Sequence, residues 1–95
     1  MATVVLGDFE WDDRKASVNL RKHGVAFEEA VTAMADPAAI TAPDLFERLR
    51  AITIGVSALS RVLFVVHTES PRGGRVRIIS ARKASAAQRG KYEEG

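Results

Sequence analysis

The chain predicts an α+β fold, with helices set against an antiparallel sheet, and three observations carry that prediction. Apolar residues alternate with period two through residues 50–82, interrupted by a strong hairpin-loop signal at Ser70-Pro71-Arg72-Gly73-Gly74. Helical spacing with start and stop signals marks residues 12–35. A capping-box pattern, Ser85-Ala86-Ala87-Gln88, opens a last helix.

The elements follow in order. Thr3 to Trp11 predicts a short strand with a bend at Gly7-Asp8, and alternation puts Phe9 and Trp11 on one face as core anchors. Asp12 is the expected N-cap of a helix from Asp13 to His23, and Asp13 in its first turn suits the helix dipole. The apolar stripe of that helix, Ala16, Val18, Leu20 and His23, is ragged. Lys15, Asn19 and Lys22 stand at i, i+4 and i+7 and so share one face. Gly24 is the expected C-terminal stop. Phe27, Ala30, Val31 and Met34 repeat at helical spacing over Phe27 to Ala35, and Asp36-Pro37 ends that helix. Ala38 to Arg48 is the least regular stretch, with one short strand near Ile40 and a loop around Ala42-Pro43-Asp44. Arg50 to Val56 sets Ile52, Ile54 and Val56 on one face with Thr53 opposite; Ala58 to Ser60 turns the chain; Arg61 to Glu69 and Arg75 to Arg82 complete a three-stranded meander. The N-terminal helices and the C-terminal helix are expected to cover one face of this sheet and leave the other open.

Ninety-five residues, 46% of them apolar, predict a single domain over residues 1–95 with one modest core. There is no cysteine, which excludes disulfide frameworks, thiolate metal sites and cysteine nucleophiles and fits a reducing compartment. The longest apolar run, Val62 to Val66, is far too short to span a bilayer, and no signal peptide is visible, so a cytoplasmic protein without membrane contact is expected. Charge is segregated. Residues 1–49 hold five Lys or Arg against nine Asp or Glu, whereas residues 50–92 hold nine Lys or Arg against Glu69 alone. Such segregation points to a polyanionic partner.

Alternation also sorts the strands. With a five-residue hairpin loop, Glu69 falls opposite Arg75 and His67 opposite Arg77, so His67, Glu69, Arg75 and Arg77 are expected as one polar patch. This composition suits cleavage of an RNA phosphodiester. A carboxylate or imidazole takes the 2′-hydroxyl proton, guanidiniums receive the charge growing on phosphorus, and a charged His67 protonates the departing 5′-oxygen. The plainer reading is a cross-strand surface ion pair beside a histidine. Arg82 has the opposite parity and reaches the patch only if the strand has ended by Ala81. Lys22-His23-Gly24 reads as an ordinary helix C-terminus, or, with Lys15 and Asn19, as phosphate or partner contacts. Tyr92 packs against the sheet or serves an RNA site. With only His23 and His67 and no ligand spacing, neither a metal nor another cofactor is expected.

Two blocks of residues go further. Phe9-Glu10-Trp11-Asp12, Lys15, Asn19, Lys22-His23-Gly24-Val25 and Phe27-Glu28-Glu29-Ala30 closely resemble the opening signature of the BrnT toxins. Arg50, Ile54-Gly55, Val65-Val66-His67-Thr68-Glu69, Arg77-Ile78-Ile79-Ser80-Ala81-Arg82 and Tyr92 resemble its later run. The resemblance implies a RelE-like ribonuclease fold and the toxin half of a bacterial type II toxin–antitoxin pair. It also implies that the toxin cuts RNA and blocks translation. The implied partner is a BrnA-like ribbon-helix-helix antitoxin, and the complex represses its own operon by binding operator DNA through the antitoxin. On this basis His67, Glu69, Arg77, Arg82 and Tyr92 are the expected catalytic residues of a metal-independent endoribonuclease. Arg50, Arg61, Arg75, Lys83, Lys15 and Lys22 are the expected RNA contacts. A non-catalytic basic module that holds nucleic acid or an acidic protein is the alternative.

Overall fold

The computed structural model describes residues 2–94. The chain runs β1 (Thr3–Leu6), β2 (Phe9–Asp12), α1 (Asp13–His23), α2 (Phe27–Met34), β3 (Ile40–Pro43), β4 (Arg50–Val56), β5 (Val62–Glu69), β6 (Val76–Lys83) and α3 (Ala86–Glu94). The strands form a sheet in the order β1-β2-β6-β5-β4-β3. The expected β4-β5-β6 meander is its centre. The sheet is mixed, not antiparallel throughout, because β2 lies parallel to β6 through Phe9↔Val76 and Glu10↔Arg77. Two parallel neighbours need a crossover, and here everything from α1 to β5 lies between them in the chain.

Local signals behave as their chemistry dictates. Asp12 caps α1 by accepting from the backbone N–H of Arg14 at 2.8 Å and of Lys15 at 3.3 Å. Gly24 ends α1 at φ 70°, and its N–H returns to the Leu20 carbonyl. The capping box of α3 is reciprocal: Gln88 N–H donates to Ser85 Oγ at 3.2 Å, and Ser85 N–H donates to Gln88 Oε1 at 2.9 Å.

The core lies between one sheet face and the two N-terminal helices. Trp11, Val25, Phe27, Ala30, Ala33, Leu63, Val65, Ile78 and Ala81 are buried together, with the Trp11 and Phe27 rings edge-to-face at 6.0 Å. Gly55 lets α2 approach β4, since a Cβ there would run into the Ala33 carbonyl oxygen. The apolar stripe expected on α1 packs only in part. Val18 is 46% and Leu20 51% exposed, whereas Ala16 and the buried Asn19 turn inward.

Asn19 also corrects the reading of the Lys15, Asn19, Lys22 face. It is a sheet-edge cap, not a surface contact. β2 leaves β6 after Glu10↔Arg77, so the outer edge of β6 beyond that point has no strand beside it. Asn19 closes it. Its Oδ1 accepts from Ala81 N–H at 3.1 Å, and its Nδ2 donates to the carbonyls of Ala81 at 2.8 Å and Val25 at 2.9 Å. A side-chain amide thus completes a buried peptide group as another strand would.

Candidate active site

The register of β5 against β6 decides what the site can contain. Leu63↔Lys83, Phe64↔Arg82, Val65↔Ala81 and Val66↔Ser80 run regularly, and then His67 pairs with Ile78, Thr68 with Arg77 and Glu69 with Val76. Ile79 is the extra residue of a β-bulge. The expected pairings of His67 with Arg77 and Glu69 with Arg75 are therefore off by one residue, and a slip of one sends a side chain to the other face. Arg77 lies on the face away from α1 and α2, while His67 lies on the helix-covered face. The same bulge reverses the parity expected of Arg82. With Phe64 opposite it, Arg82 joins Arg77 on the second face although β6 continues to Lys83.

His67, Glu69 and Arg75 nonetheless meet, together with Arg50. They line an open depression of about 580 Å³ at the end of the sheet that the helices do not cover, with Thr41, Ala51 and Arg48 around them. Among the described residues, Glu69, Arg48, Arg50 and Arg75 make no salt bridge. The depression is thus bordered by one carboxylate residue and three arginines that form no ion pair among the described residues, although Arg75 also lies near enough to Glu10 for its charge to lower that carboxyl's pKa. Arg48 was missed in the sequence because it falls in the irregular stretch before β4, where only its charge marks it.

His67 forms the buried wall, 9% exposed. Its Nε2 shares a 2.8 Å hydrogen bond with Thr53 Oγ1, which shares one of 2.7 Å with Thr41 Oγ1. Burial pushes the imidazole below its ordinary pKa. Burial thus disfavours the charged form that the expected role of proton donor requires.

The second face carries Arg77 and Arg82, both engaged by partners, and also Arg50, which borders the depression from this side. Arg50, Thr68, Arg77, Glu10 and Val5 form one lateral row across β4, β5, β6, β2 and β1. Arg77 Nη1 donates to Glu10 Oε2 at 2.6 Å, and the Arg77 guanidinium is the main reason the Glu10 carboxyl sits below its usual pKa. Arg82 stacks over the Phe64 ring at 4.1 Å and donates to Gln88 Oε1 at 3.0 Å, which ties α3 to this face.

The remaining expected residues lie apart. Tyr92 donates to Asp36 Oδ2 at 2.6 Å, and Asp36 Oδ2 also accepts from Val56 N–H. Val56 is six residues along β4 from Arg50, roughly 20 Å at the strand rise. The bond to Asp36 also raises the Tyr92 pKa, against an acid–base role. Arg61 is at the same far end. Its Nε donates to Glu29 Oε2 at 2.9 Å, a second guanidinium nitrogen pairs with Glu29 Oε1, and Gly24 O accepts at 3.0 Å. Glu29, 8% exposed, takes a further bond from Ser57 Oγ at 2.7 Å. Arg61 is thus a structural ion pair between β5 and the helices. Lys83 is exposed at that end, opposite Leu63. Lys15 and Lys22 are exposed along a separate groove of about 540 Å³ between α1 and β6.

A mixed sheet backed by two helices, with arginines and a carboxylate gathered at its uncovered end, defines a small basic α+β protein fitted to hold a polyanion. Residues 11–88 match the model of the family described as the ribonuclease toxin, BrnT, of type II toxin–antitoxin systems, and the chain belongs to that family. Among solved structures, the 1.1 Å crystal structure of the Brucella abortus ribonuclease toxin BrnT is similar to it. The two share 26% identity and superpose with a TM-score of 0.64, over 79% of this chain and 92% of that one. A search among curated proteins finds no match. Among the described residues, no helix is long and apolar enough to cross a membrane.

Proposed function

We propose that the chain is an endoribonuclease toxin that cleaves RNA without a metal ion at the depression lined by Glu69, Arg50, Arg75, Arg48 and His67. The observation that carries this reading is one open depression bordered by Glu69, His67 and three arginines, Arg48, Arg50 and Arg75, that form no salt bridge among the described residues. Glu69 takes the 2′-hydroxyl proton, and the 2′-oxygen then bonds to phosphorus. The bond to O5′ breaks, and that oxygen takes a proton from solvent, leaving a 2′,3′-cyclic phosphate. Arg48, Arg50 and Arg75 hold the phosphoryl oxygens as their charge grows. His67 orients the site through Thr53 and is no proton donor. Arg77 and Arg82, on the second face, and Lys15 and Lys22, on α1, guide the strand. In the cytoplasm the activity blocks translation by cutting mRNA. A BrnA-like ribbon-helix-helix antitoxin neutralises it and carries the complex to operator DNA for autorepression.

The test is cleavage of a single-stranded RNA by the purified chain, with the 3′-ends identified. A cyclic phosphate is expected, and a chelator is expected to leave the rate unchanged. Glu69→Gln and Arg75→Ala are each expected to lower kcat/KM by about 10²-fold or more. Intact RNA in the presence of folded wild-type protein establishes a non-catalytic binding module. Full activity in Glu69→Gln with loss in Arg77→Ala and Arg82→Ala moves the site to the second face.

A further inference from the structure

The hairpin joining β3 to β4 has a fixed backbone and bare apolar side chains. Asp44 N–H donates to the Arg50 carbonyl at 2.9 Å, and Arg50 N–H returns to the Glu47 carbonyl at 3.0 Å. Asp44 Oδ1 accepts from the N–H of Phe46 at 2.9 Å and of Glu47 at 3.3 Å. Thr68 Oγ1 donates to the Leu49 carbonyl at 2.6 Å, fastening the loop to β5. On this ordered turn Leu45 is 90% exposed, Phe46 95% and Leu49 83%. A turn of this kind needs no large apolar residue, and three together on one tip mark a contact surface. Leu49 also borders the depression beside Arg48 and Arg50.

We propose that Leu45, Phe46 and Leu49 are the apolar anchor onto which the neutralising antitoxin docks, so that its bound segment covers the depression. The inference rests on the reading of that depression as the cleavage site. The occupant is protein and not RNA, because two of the three residues are leucines, which offer no ring face for a base, whereas aliphatic anchors fill apolar pockets of a protein partner. Charge sets the rest of its chemistry. Arg48, Arg50, Arg72 and Arg75 lie around the hairpin and the depression, against Glu47 and Glu69, with Asp44 already engaged in the turn. An apolar segment flanked by acidic residues fits that surround.

The doubly substituted protein Leu45→Ser/Phe46→Ser tests it, since neither side chain contributes to the core. Calorimetric titration with the purified cognate antitoxin is expected to show a Kd raised about tenfold or more. RNA cleavage by the free variant is expected to stay within about twofold of wild type, while co-expressed antitoxin no longer restores growth. An unchanged Kd overturns the proposal. A retained Kd with lost cleavage assigns the hairpin to RNA instead. Antitoxin that saturates wild-type protein without lowering its RNA binding overturns the covering of the depression. Should the wild-type chain cleave no RNA, the site reading fails, and calorimetry still decides the docking surface.

Discussion

Replacing Asn19 by Ala separates a surface contact from an internal tie. The substitution leaves the Ala81 N–H, the Ala81 carbonyl and the Val25 carbonyl without the partners that Asn19 supplies at 3.1, 2.8 and 2.9 Å. Val25 and Ala81 are fully buried, so water reaches these groups only if α1 lifts from the edge of β6. Each buried polar group left unpaired costs about 1–3 kcal/mol. Relaxation and entry of water make the three less than additive, so the expected loss is about 3 kcal/mol. For a chain of this length that lowers Tm by about 12–24 °C. Asn19→Asp is expected to be at least as damaging, because a carboxylate accepts from Ala81 N–H but faces two carbonyl oxygens with nothing to donate. Urea and thermal unfolding followed by circular dichroism measure both, with Lys15→Ala and Lys22→Ala on the same helix expected within about 0.5 kcal/mol of wild type. A loss under about 1 kcal/mol in Asn19→Ala, or lost RNA affinity at wild-type stability, refutes the tie.

Arg61→Ala strands Glu29, a nearly buried carboxylate left with Ser57 as partner. The expected loss is about 2–3 kcal/mol, below the full value for a buried pair because Arg61 is partly exposed; lost RNA affinity at wild-type stability after this change would contradict the structural role. Gly55→Ala drives a methyl group into the Ala33 carbonyl and is expected to destabilise by about 1–3 kcal/mol, read by the shift of the urea midpoint. For His67 the folded pKa is depressed, so below the ordinary value of about 6.5 the unfolded chain binds protons that the folded one refuses. Its contribution is therefore fully present above that pH and is lost as pH falls toward the folded pKa. Wild-type stability is expected to drop as pH falls below about 6.5, and His67→Gln to flatten that drop. An identical slope in the two proteins would show that His67 does not titrate this way.

The sequence alone determined what local chemistry controls. The Asp12 and Ser85 caps, the Gly24 stop, the β4-β5-β6 meander and the Ser70–Gly74 hairpin each rest on a few neighbouring residues, and so does the segregation of charge toward the second half. Strand alternation predicted a patch of His67, Glu69, Arg75 and Arg77, and the family resemblance added Arg50; the structure keeps His67, Glu69, Arg75 and Arg50 around one depression and sends Arg77 to the other face. Tertiary structure decided which face each arginine takes, because one extra residue at Ile79 reverses parity along β6, and no local pattern in Arg77-Ile78-Ile79-Ser80-Ala81-Arg82 announces a bulge. It decided that Arg61 pairs with Glu29 and Arg77 with Glu10, since those carboxylates lie 32 and 67 residues away in the chain. It turned Asn19 inward, because β2 diverges from β6 and leaves a buried peptide group that only α1 reaches. Burial, finally, lowered the His67 pKa: the imidazole is the same in any sequence, but how readily it takes a proton is set by what packs around it.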